Sequence, residues 1–541
     1  MCGIFFYSGR FKFYVKDKVL TKEFEKIQHR GPDNSTSVVV SLDNNDLYLG
    51  FHRLSVNGLN KESNQPLINE NVYLICNGEI FNYKELIEEY DINDYKTDSD
   101  CEIIIHLYKK LGFNEMIKKL DGEFAFVLVD KDTGKIYISR DHLGIRSLFI
   151  GWKGDEFIVS SEMKSIDETY KVEQFKPRTY MVVNEKNEII ENNEYFTFEK
   201  RDDKYTEEEH IENIKRLMDK AVKKRLMSDR NICCLLSGGL DSTIVTGIVS
   251  KYFKPYTLNT YSIGLKGSVD VKYSKIAGDY FKTNHTVIEL TNEDFINAIE
   301  NTIYQIESYD VTTVRASIGN YLVSCYIRDN SEDKVVFCGD VADEIFGSYR
   351  GFYYVPDDDT FYHENMKMLQ NIHYFDVLRS DKSISGAGLE ARVPFSDKDL
   401  ISYVMNMDPK YKRFDKDKIE KYILRKAHDD LLPKKLCWRV KTAFSDGVSN
   451  EKNPFYEILN KHFECKYSEE EYTRLRDKYV MNPPYDKESL YYREVFEKHF
   501  KNKDYVIPYF WKQPCMREED PSAWLAEKTE KKKKLHKKSA I

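Results

Sequence analysis

Residues 231–249 read Asn-Ile-Cys-Cys-Leu-Leu-Ser-Gly-Gly-Leu-Asp-Ser-Thr-Ile-Val-Thr-Gly-Ile-Val. Asn231 to Cys234 are apolar enough for a buried strand, and Ser242 to Val249 carry a helical pattern. Between them Gly238 and Gly239 let backbone amides approach an anion with no Cβ in the way. The helix start adds free N–H groups and a partial positive charge. Ser237 and Ser242 add hydroxyl donors. A strand, glycine turn and helix of this kind grips a phosphate or pyrophosphate. The Gly-Lys-Ser/Thr ending of a Walker loop is missing, which argues against γ-phosphate chemistry.

The string Ser237-Gly238-Gly239-Leu240-Asp241-Ser242 resembles the PP-loop of ATP pyrophosphatases. Those enzymes cleave ATP between the α and β phosphates and adenylylate a substrate. A bare Gly-Gly after a strand is usually only a tight turn; the longer string in this context is not.

Downstream, short apolar runs alternate with helical stretches. Strands are predicted at Thr257–Ile263, His285–Leu290 and Lys334–Cys338, and helices at Val271–Phe281, Asp294–Tyr304 and Ile318–Arg328. This order predicts a doubly wound parallel sheet with helices on both faces. Ligands of such sheets sit at the carboxyl ends of strands, where Ser237, Ile263 and Cys338-Gly339 are expected.

Upstream, the signal is a series of short strings. Cys2-Gly3-Ile4 is followed by His29-Arg30-Gly31-Pro32-Asp33, Phe51-His52-Arg53-Leu54-Ser55, Cys76-Asn77-Gly78-Glu79-Ile80-Phe81-Asn82 and Thr97-Asp98-Ser99-Asp100. Asp121-Gly122-Glu123-Phe124-Ala125-Phe126 and Ser139-Arg140-Asp141-His142-Leu143-Gly144 complete it. Loss of Met1 would give Cys2 a thiol beside a free α-amine, whose pKa near ~8 suits it as a base. The ordered series resembles the glutaminase domain of class II glutamine amidotransferases to about residue 196. That resemblance implies a four-layer α/β/β/α sandwich with Cys2 as nucleophile. It makes Asn77 and Gly78 the oxyanion donors. It places Arg53, Asn57, Asn77, Gly78, Glu79 and Asp100 around glutamine, with Arg53 on the carboxylate and Asp100 on the ammonium. The plainer alternative for Arg53 and Asp100, a structural ion pair, fits their motif positions less well. Period-two runs predict strands at Val38–Leu42 and Val72–Cys76 and a hairpin of Phe124–Asp130 with Lys135–Arg140. Helices are predicted at Lys84–Glu89 and Cys101–Leu111.

Residues 197–209 are polar and charged, a natural boundary, with an amphipathic helix at His210–Leu226. The expected units are 1–205, 206–520 and a lysine-rich tail, 521–541, that reads as solvated and disordered. The 541 residues are 41% hydrophobic and 32% charged, which suits soluble globular domains. A net charge of −8 argues against a general nucleic-acid binder. No apolar run is long enough for a membrane span, and the first residues lack the basic start of a signal peptide. Ten scattered cysteines without CxxC pairs fit reduced thiols in the cytoplasm.

The second half also carries Tyr309 to Ser317, Gly388-Leu389-Glu390-Ala391-Arg392-Val393-Pro394-Phe395 and Lys441-Thr442-Ala443-Phe444-Ser445-Asp446-Gly447-Val448. These resemble the synthetase domain of the glutamine-hydrolysing asparagine synthetase family, and with the first half the resemblance covers about residues 2 to 450. It implies that Leu236, Ile263, Cys338 and Gly339 contact ATP together with Ser237, Gly238, Gly239, Asp241 and Ser242. It implies Mg²⁺ with ATP, held by Asp241 and Asp343, with Lys441 steadying phosphate charge and Asp340 as a further catalytic candidate. Thr312, Thr313, Arg315 and Arg392 are its candidates for the aspartate site. The expected small-molecule partners are glutamine, aspartate and ATP, with homodimerisation left open. The family pattern Ser-Gly-Glu-Gly-x-Asp-Glu reads Cys338-Gly339-Asp340-Val341-Ala342-Asp343-Glu344 here, one methylene shorter at Asp340. The function expected is aspartate-to-asparagine amidation through a β-aspartyl-AMP; the alternative is a related amidotransferase with another carboxylate acceptor.

Overall fold

A computed structural model describes residues 1–10, 13–198, 203–441, 444–449, 452 and 454–516. The tail 521–541 and part of the polar stretch 197–209 lie outside these residues.

Two antiparallel six-stranded sheets form the first half. One runs Lys171–Gln174, Phe149–Lys153, Glu156–Ser160, Gly3–Gly9, Asp46–Arg53, Asn34–Ser41. The other runs Ile189–Glu194, Thr179–Val183, Lys135–Arg140, Gly122–Asp130, Val72–Ile80, Leu67–Asn69. Alternating side chains leave opposite faces of a strand. Ile4 and Phe6 therefore pack between the sheets on Ile75, Ala125, Val127 and Ile138. Phe5 and Tyr7 point outward to Leu20 and Phe24 of the helix Phe13–Glu25. On the far side Leu74, Phe126 and Leu128 meet Ile104, Leu107 and Met116 from the helices Ile103–Leu111 and Phe113–Lys119. The result is the expected four-layer α/β/β/α sandwich.

The second half holds a wholly parallel sheet ordered Asn284–Leu290, Asn259–Leu265, Asn231–Leu235, Asp333–Phe337, Glu390–Arg392. Its central strand feeds the glycine turn and the helix Leu240–Ser250. Strand order reverses about this strand, which opens a crevice there. The helix Glu207–Lys224 begins at a Thr206–Glu209 capping box. The predicted helix Asp294–Tyr304 is two helices, Asn292–Asn297 and Ile299–Ile306, that meet at Ala298.

The halves share a core. Phe149, Ile158 and Val172 of the first sheet cluster with Ile299, Ile303 and Val314 of the second half and with Phe455, Leu459, Tyr492 and Phe496 near its end. The C-terminal helices Phe455–Glu464 and Lys487–His499 thus cover this joint. All ten cysteines are unpaired thiols. Among the described residues no helix is long and apolar enough to cross a membrane.

Candidate active sites

Cys2 immediately precedes the strand Gly3–Gly9 and lies beside the strand that carries Asn77. The Cys2 N–H donates to Asn77 Oδ1 at 2.9 Å. This fixes the Asn77 amide and leaves its buried Nδ2 with no hydrogen-bond partner. An unspent donor beside a thiol is the geometry an oxyanion needs. Gly78 admits no larger residue, because a Cβ there would stand 2.3 Å from the Glu123 carbonyl oxygen across the ladder. The Cys2 thiol donates to Leu54 O at 3.6 Å, and burial pushes its pKa up to about 11. Arg30 Nε donates to the Cys2 carbonyl at 2.9 Å.

Of the glutamine-site candidates, Arg53, Asn57, Glu79 and Asp100 are already engaged within the protein. Arg53 donates to Asn60 O (2.9 Å), Asn64 Oδ1 (2.7 Å), Asn57 O (3.2 Å) and Gly58 O. It clasps the loop after its strand and does not pair with Asp100. Asn57 donates to Glu79 Oε2. Asp100 Oδ2 accepts from the Ile80 N–H at 2.6 Å. Burial raises the Asp100 carboxyl to about 6, and burial with the neighbouring Asp100 charge raises Glu79 well above the carboxylate range.

In the second half the turn residues, Cys338, Gly339, Asp340 and Asp343, and the distant Lys421 and Lys441 surround a cavity of about 230 Å³. Ser237 Oγ and Ser242 Oγ stand 3.0 Å apart, and the Gly239 N–H donates to Ser237 Oγ at 3.2 Å. Gly238 has φ +72°, and a Cβ there would meet the Tyr273 carbonyl carbon at 2.4 Å. A Cβ on Gly339 would meet the Ser242 nitrogen at 2.7 Å, so the loop after Asp333–Phe337 is pressed against the phosphate turn. Asp340 Oδ1 accepts from Arg379 at 2.8 Å, and its Oδ2 is buried without a partner. Val341 stands at φ +77° where the family pattern has glycine. A β-branched residue in this region costs on the order of 1–3 kcal/mol. Its side chain is 2% exposed, and such burial returns a similar amount, about 1.5–3 kcal/mol.

Asp241 and Asp343 share one buried cation: Lys421 Nζ lies 2.5 Å from Asp241 Oδ2 and 2.6 Å from Asp343 Oδ1. Lys441 also pairs with Asp343. These two ammonium groups hold the Asp343 carboxyl far below the usual carboxylate range even against burial. Burial instead raises Asp241, whose Oδ1 has no hydrogen-bond partner. Two carboxylates with a free buried oxygen fit one divalent cation that takes its other ligands from phosphate and water. Among the described residues no group of three or more His, Cys, Asp or Glu could hold a metal by itself.

Several of the expected contacts lie away from the cavity. Leu236 points away from the cavity into a cluster with Ala277 and Leu436, and its N–H is spent on Tyr261 O at 2.8 Å. Ile263 is internal to a strand that continues to Leu265, so it packs in the sheet core and not at a strand end. Thr312 lines the cavity, but Thr313 bonds the helix-capping Asp310 with both its N–H and Oγ1. Arg315 forks onto Glu488 at 2.8 and 2.7 Å, because its helix turns that face to the C-terminal helix. Arg392 is fully buried at the joint between the halves: it donates to Glu390 Oε1 at 2.6 Å and lies 3.5 Å from Glu79 Oε2. Residues not foreseen also line the cavity, including Lys421, Arg379, Arg439, Tyr349 and Trp511. Arg439 donates to Gly238 O at 2.7 Å and to Asp270 at 2.9 Å, which props the turn from behind.

The glutamine amidotransferase domain family matches residues 1–200, and the asparagine synthase family matches residues 213–361 and 353–525. A probable glutamine-hydrolysing asparagine synthetase of Acanthamoeba polyphaga mimivirus is 35% identical over 90% of this chain and 92% of its own. The asparagine synthetases of Cricetulus griseus and Homo sapiens are each 37% identical over 92% of this chain and 94% of theirs. The chain belongs to the glutamine-hydrolysing asparagine synthetase family. In this member of the family, Asn57, Glu79 and Arg392 form a polar line from the glutaminase site into the other half. Arg30 makes a second crossing, donating to Glu162 at 2.8 Å and to Asp381 at 3.0 Å. Arg225 makes a third, joining Glu123 at 2.8 Å to Asp397 at 3.0 Å.

Proposed function

We propose that the chain makes asparagine from aspartate, ATP and glutamine, with residues 1–205 and 206–520 as its two catalytic units and Mg²⁺ accompanying ATP in the cytoplasm. One observation carries the reading: a thiol beside an unspent amide donor and a phosphate-gripping turn beside paired carboxylates stand on one polypeptide.

With Met1 removed, the Cys2 amine takes the thiol proton and the thiolate attacks the side-chain amide carbon of glutamine. Asn77 Nδ2 and the Gly78 N–H would receive the oxyanion. Collapse expels ammonia and leaves a thioester, which water hydrolyses to glutamate. In the second unit the β-carboxylate of aspartate attacks the α-phosphorus of ATP, releasing pyrophosphate and leaving a β-aspartyl-AMP. A carboxylate resists ammonia, whereas a mixed anhydride accepts it and releases AMP. Ser237, Gly239 and Ser242 would orient the departing pyrophosphate, and Lys441 would offset its charge. Bound Mg²⁺ would neutralise phosphate charge between Asp241 and Asp343. Thr312 is the aspartate-site candidate that faces the cavity.

The test is an AMP and pyrophosphate assay on purified protein. Cys2→Ala is expected to abolish glutamine-driven synthesis while ammonia-driven synthesis persists. AMP release without aspartate would favour another carboxylate acceptor, and loss of both activities in Cys2→Ala would sink the two-site scheme.

A further inference from the structure

One cavity belongs to neither reaction site. It measures about 790 Å³ and opens between the sandwich and the synthetase half. One wall comes from the strands Lys171–Gln174, Thr179–Val183 and Ile189–Glu194 with the turn that holds Arg178. The other comes from the helix Asp358–Asn371 and the turn Ile372–Tyr374.

The walls hold polar groups that the protein leaves unused. Arg178 is 7% exposed, yet its Nη1 has no hydrogen-bond partner. Its backbone is pinned in the left-handed region at φ +56°, with its N–H on Asp141 O (2.9 Å) and its carbonyl accepting from the Tyr195 N–H (3.0 Å). Its guanidinium carbon lies 5.4 Å from the Phe198 ring centroid. The nearby Glu194 is already paired with Lys176 at 2.5 Å. Opposite, His373 is 5% exposed, and its Nδ1 has no partner. Gln174 Oε1 is buried and unpartnered as well. Withdrawing a guanidinium from water without an anion costs several kcal/mol, so this is a poor way to build a wall and a good way to build a receptor.

We propose that this cavity binds a small organic anion, whose carboxylate or phosphate group is held by the Arg178 fork and the His373 ring from opposite halves of the chain. The free Gln174 oxygen calls for a hydroxyl or ammonium donor on the same ligand. Tyr374 and Phe198 supply apolar faces beside the charge. Because both halves contribute, occupancy would tighten their docking.

Calorimetric titration of the full chain with inorganic phosphate and, separately, with malonate tests this. At least one probe should bind saturably, and the tighter one tells phosphate from carboxylate. Ser242→Ala should retain that binding, which separates it from the phosphate turn. Arg178→Gln should weaken it at least tenfold and leave ammonia-driven synthesis in place. His373→Phe, which keeps the ring volume, should weaken it too and serves if Arg178→Gln does not fold. The proposal is overturned if neither probe binds, if Ser242→Ala abolishes binding, or if the folded variant binds as tightly as the parent.

Discussion

Lys421 bridges the two acids of the synthetase cavity, and Lys421→Met isolates that role. Methionine keeps most of the apolar stem and removes the charge. The ammonium is 2% exposed by side chain and sits 2.5 Å from Asp241 and 2.6 Å from Asp343. Breaking a buried pair by deleting one partner costs about 3–5 kcal/mol, because the remaining charge stays buried and unpaired. Two features reduce the figure. Lys441 still compensates Asp343, and Asp241, already raised by burial, can take a proton at about 1.4 kcal/mol per unit between its pKa and the pH. A loss near the lower end, about 3 kcal/mol, is therefore expected for the ligand-free chain. Magnesium with ATP should restore much of it, since a ligand at about a hundred times its Kd adds ~2.7 kcal/mol. In the parent the same cation must displace Lys421 from both carboxylates, so the parent should gain less. Urea unfolding followed by tryptophan fluorescence reads the difference, because Trp438 and Trp511 both lie in this half. Equal stability of variant and parent without ligand would refute the reasoning, as would equal stabilisation of both by magnesium and ATP.

Other outcomes follow from single contacts. Asp340→Glu restores the family's side-chain length beside Arg379; ammonia-driven synthesis should rise, by up to ~100-fold if the present reach is about 1 Å short, with glutaminase activity unchanged. Asp100, raised to about 6 by burial, is protonated more readily in the folded than in the unfolded chain. Its ionisation therefore destabilises the fold fully above pH ~6, and the penalty vanishes below its ordinary pKa of ~3.9. Asp100→Asn should raise the melting temperature at pH 7.5 but not at pH 3.5, while it weakens glutamine binding; thermal scans at both values with a glutaminase KM measurement check the pair. Arg225→Met breaks its bridge between Glu123 and Asp397 across the joint, and should cost about 3–5 kcal/mol and speed proteolysis at the joint in limited digestion.

What was legible in the sequence depended on how local each contact is. The turn at Ser237–Ser242 is defined by its own strand and helix, so its geometry follows from contiguous residues. The same holds for the hairpin of Gly122–Asp130 with Lys135–Arg140, whose pairing follows from alternation and a short turn. The side chains that complete the cavity come from distant segments, and their contacts are set by tertiary packing. Lys421 and Arg439 lie in a stretch rich in basic residues where nothing local separates a buried cation from a solvated one. Arg315 and Arg392 show the opposite failure. Each sits in a string shared with the family, but a shared string preserves a structural bond as firmly as a substrate contact. Arg315 serves the helix that carries Glu488, and Arg392 serves the joint.

The joint itself gives those buried charges a common logic. Arg30, Arg225 and Arg392 each touch both halves. A joint made only of apolar side chains would tolerate sliding, because such contacts are not directional. Guanidinium forks aimed at named carboxylates do not tolerate it: a small shift leaves a buried charge unpaired at a cost of several kcal/mol. The strand ending in Ile80 and the strand ending in Arg392 are thereby tied to each other through Glu79. Asn57 and Glu79, at the proposed glutamine end of that line, are then fixed by the same guanidinium that docks the halves, so on that proposal loosening the joint should disturb glutamine binding before it disturbs either core.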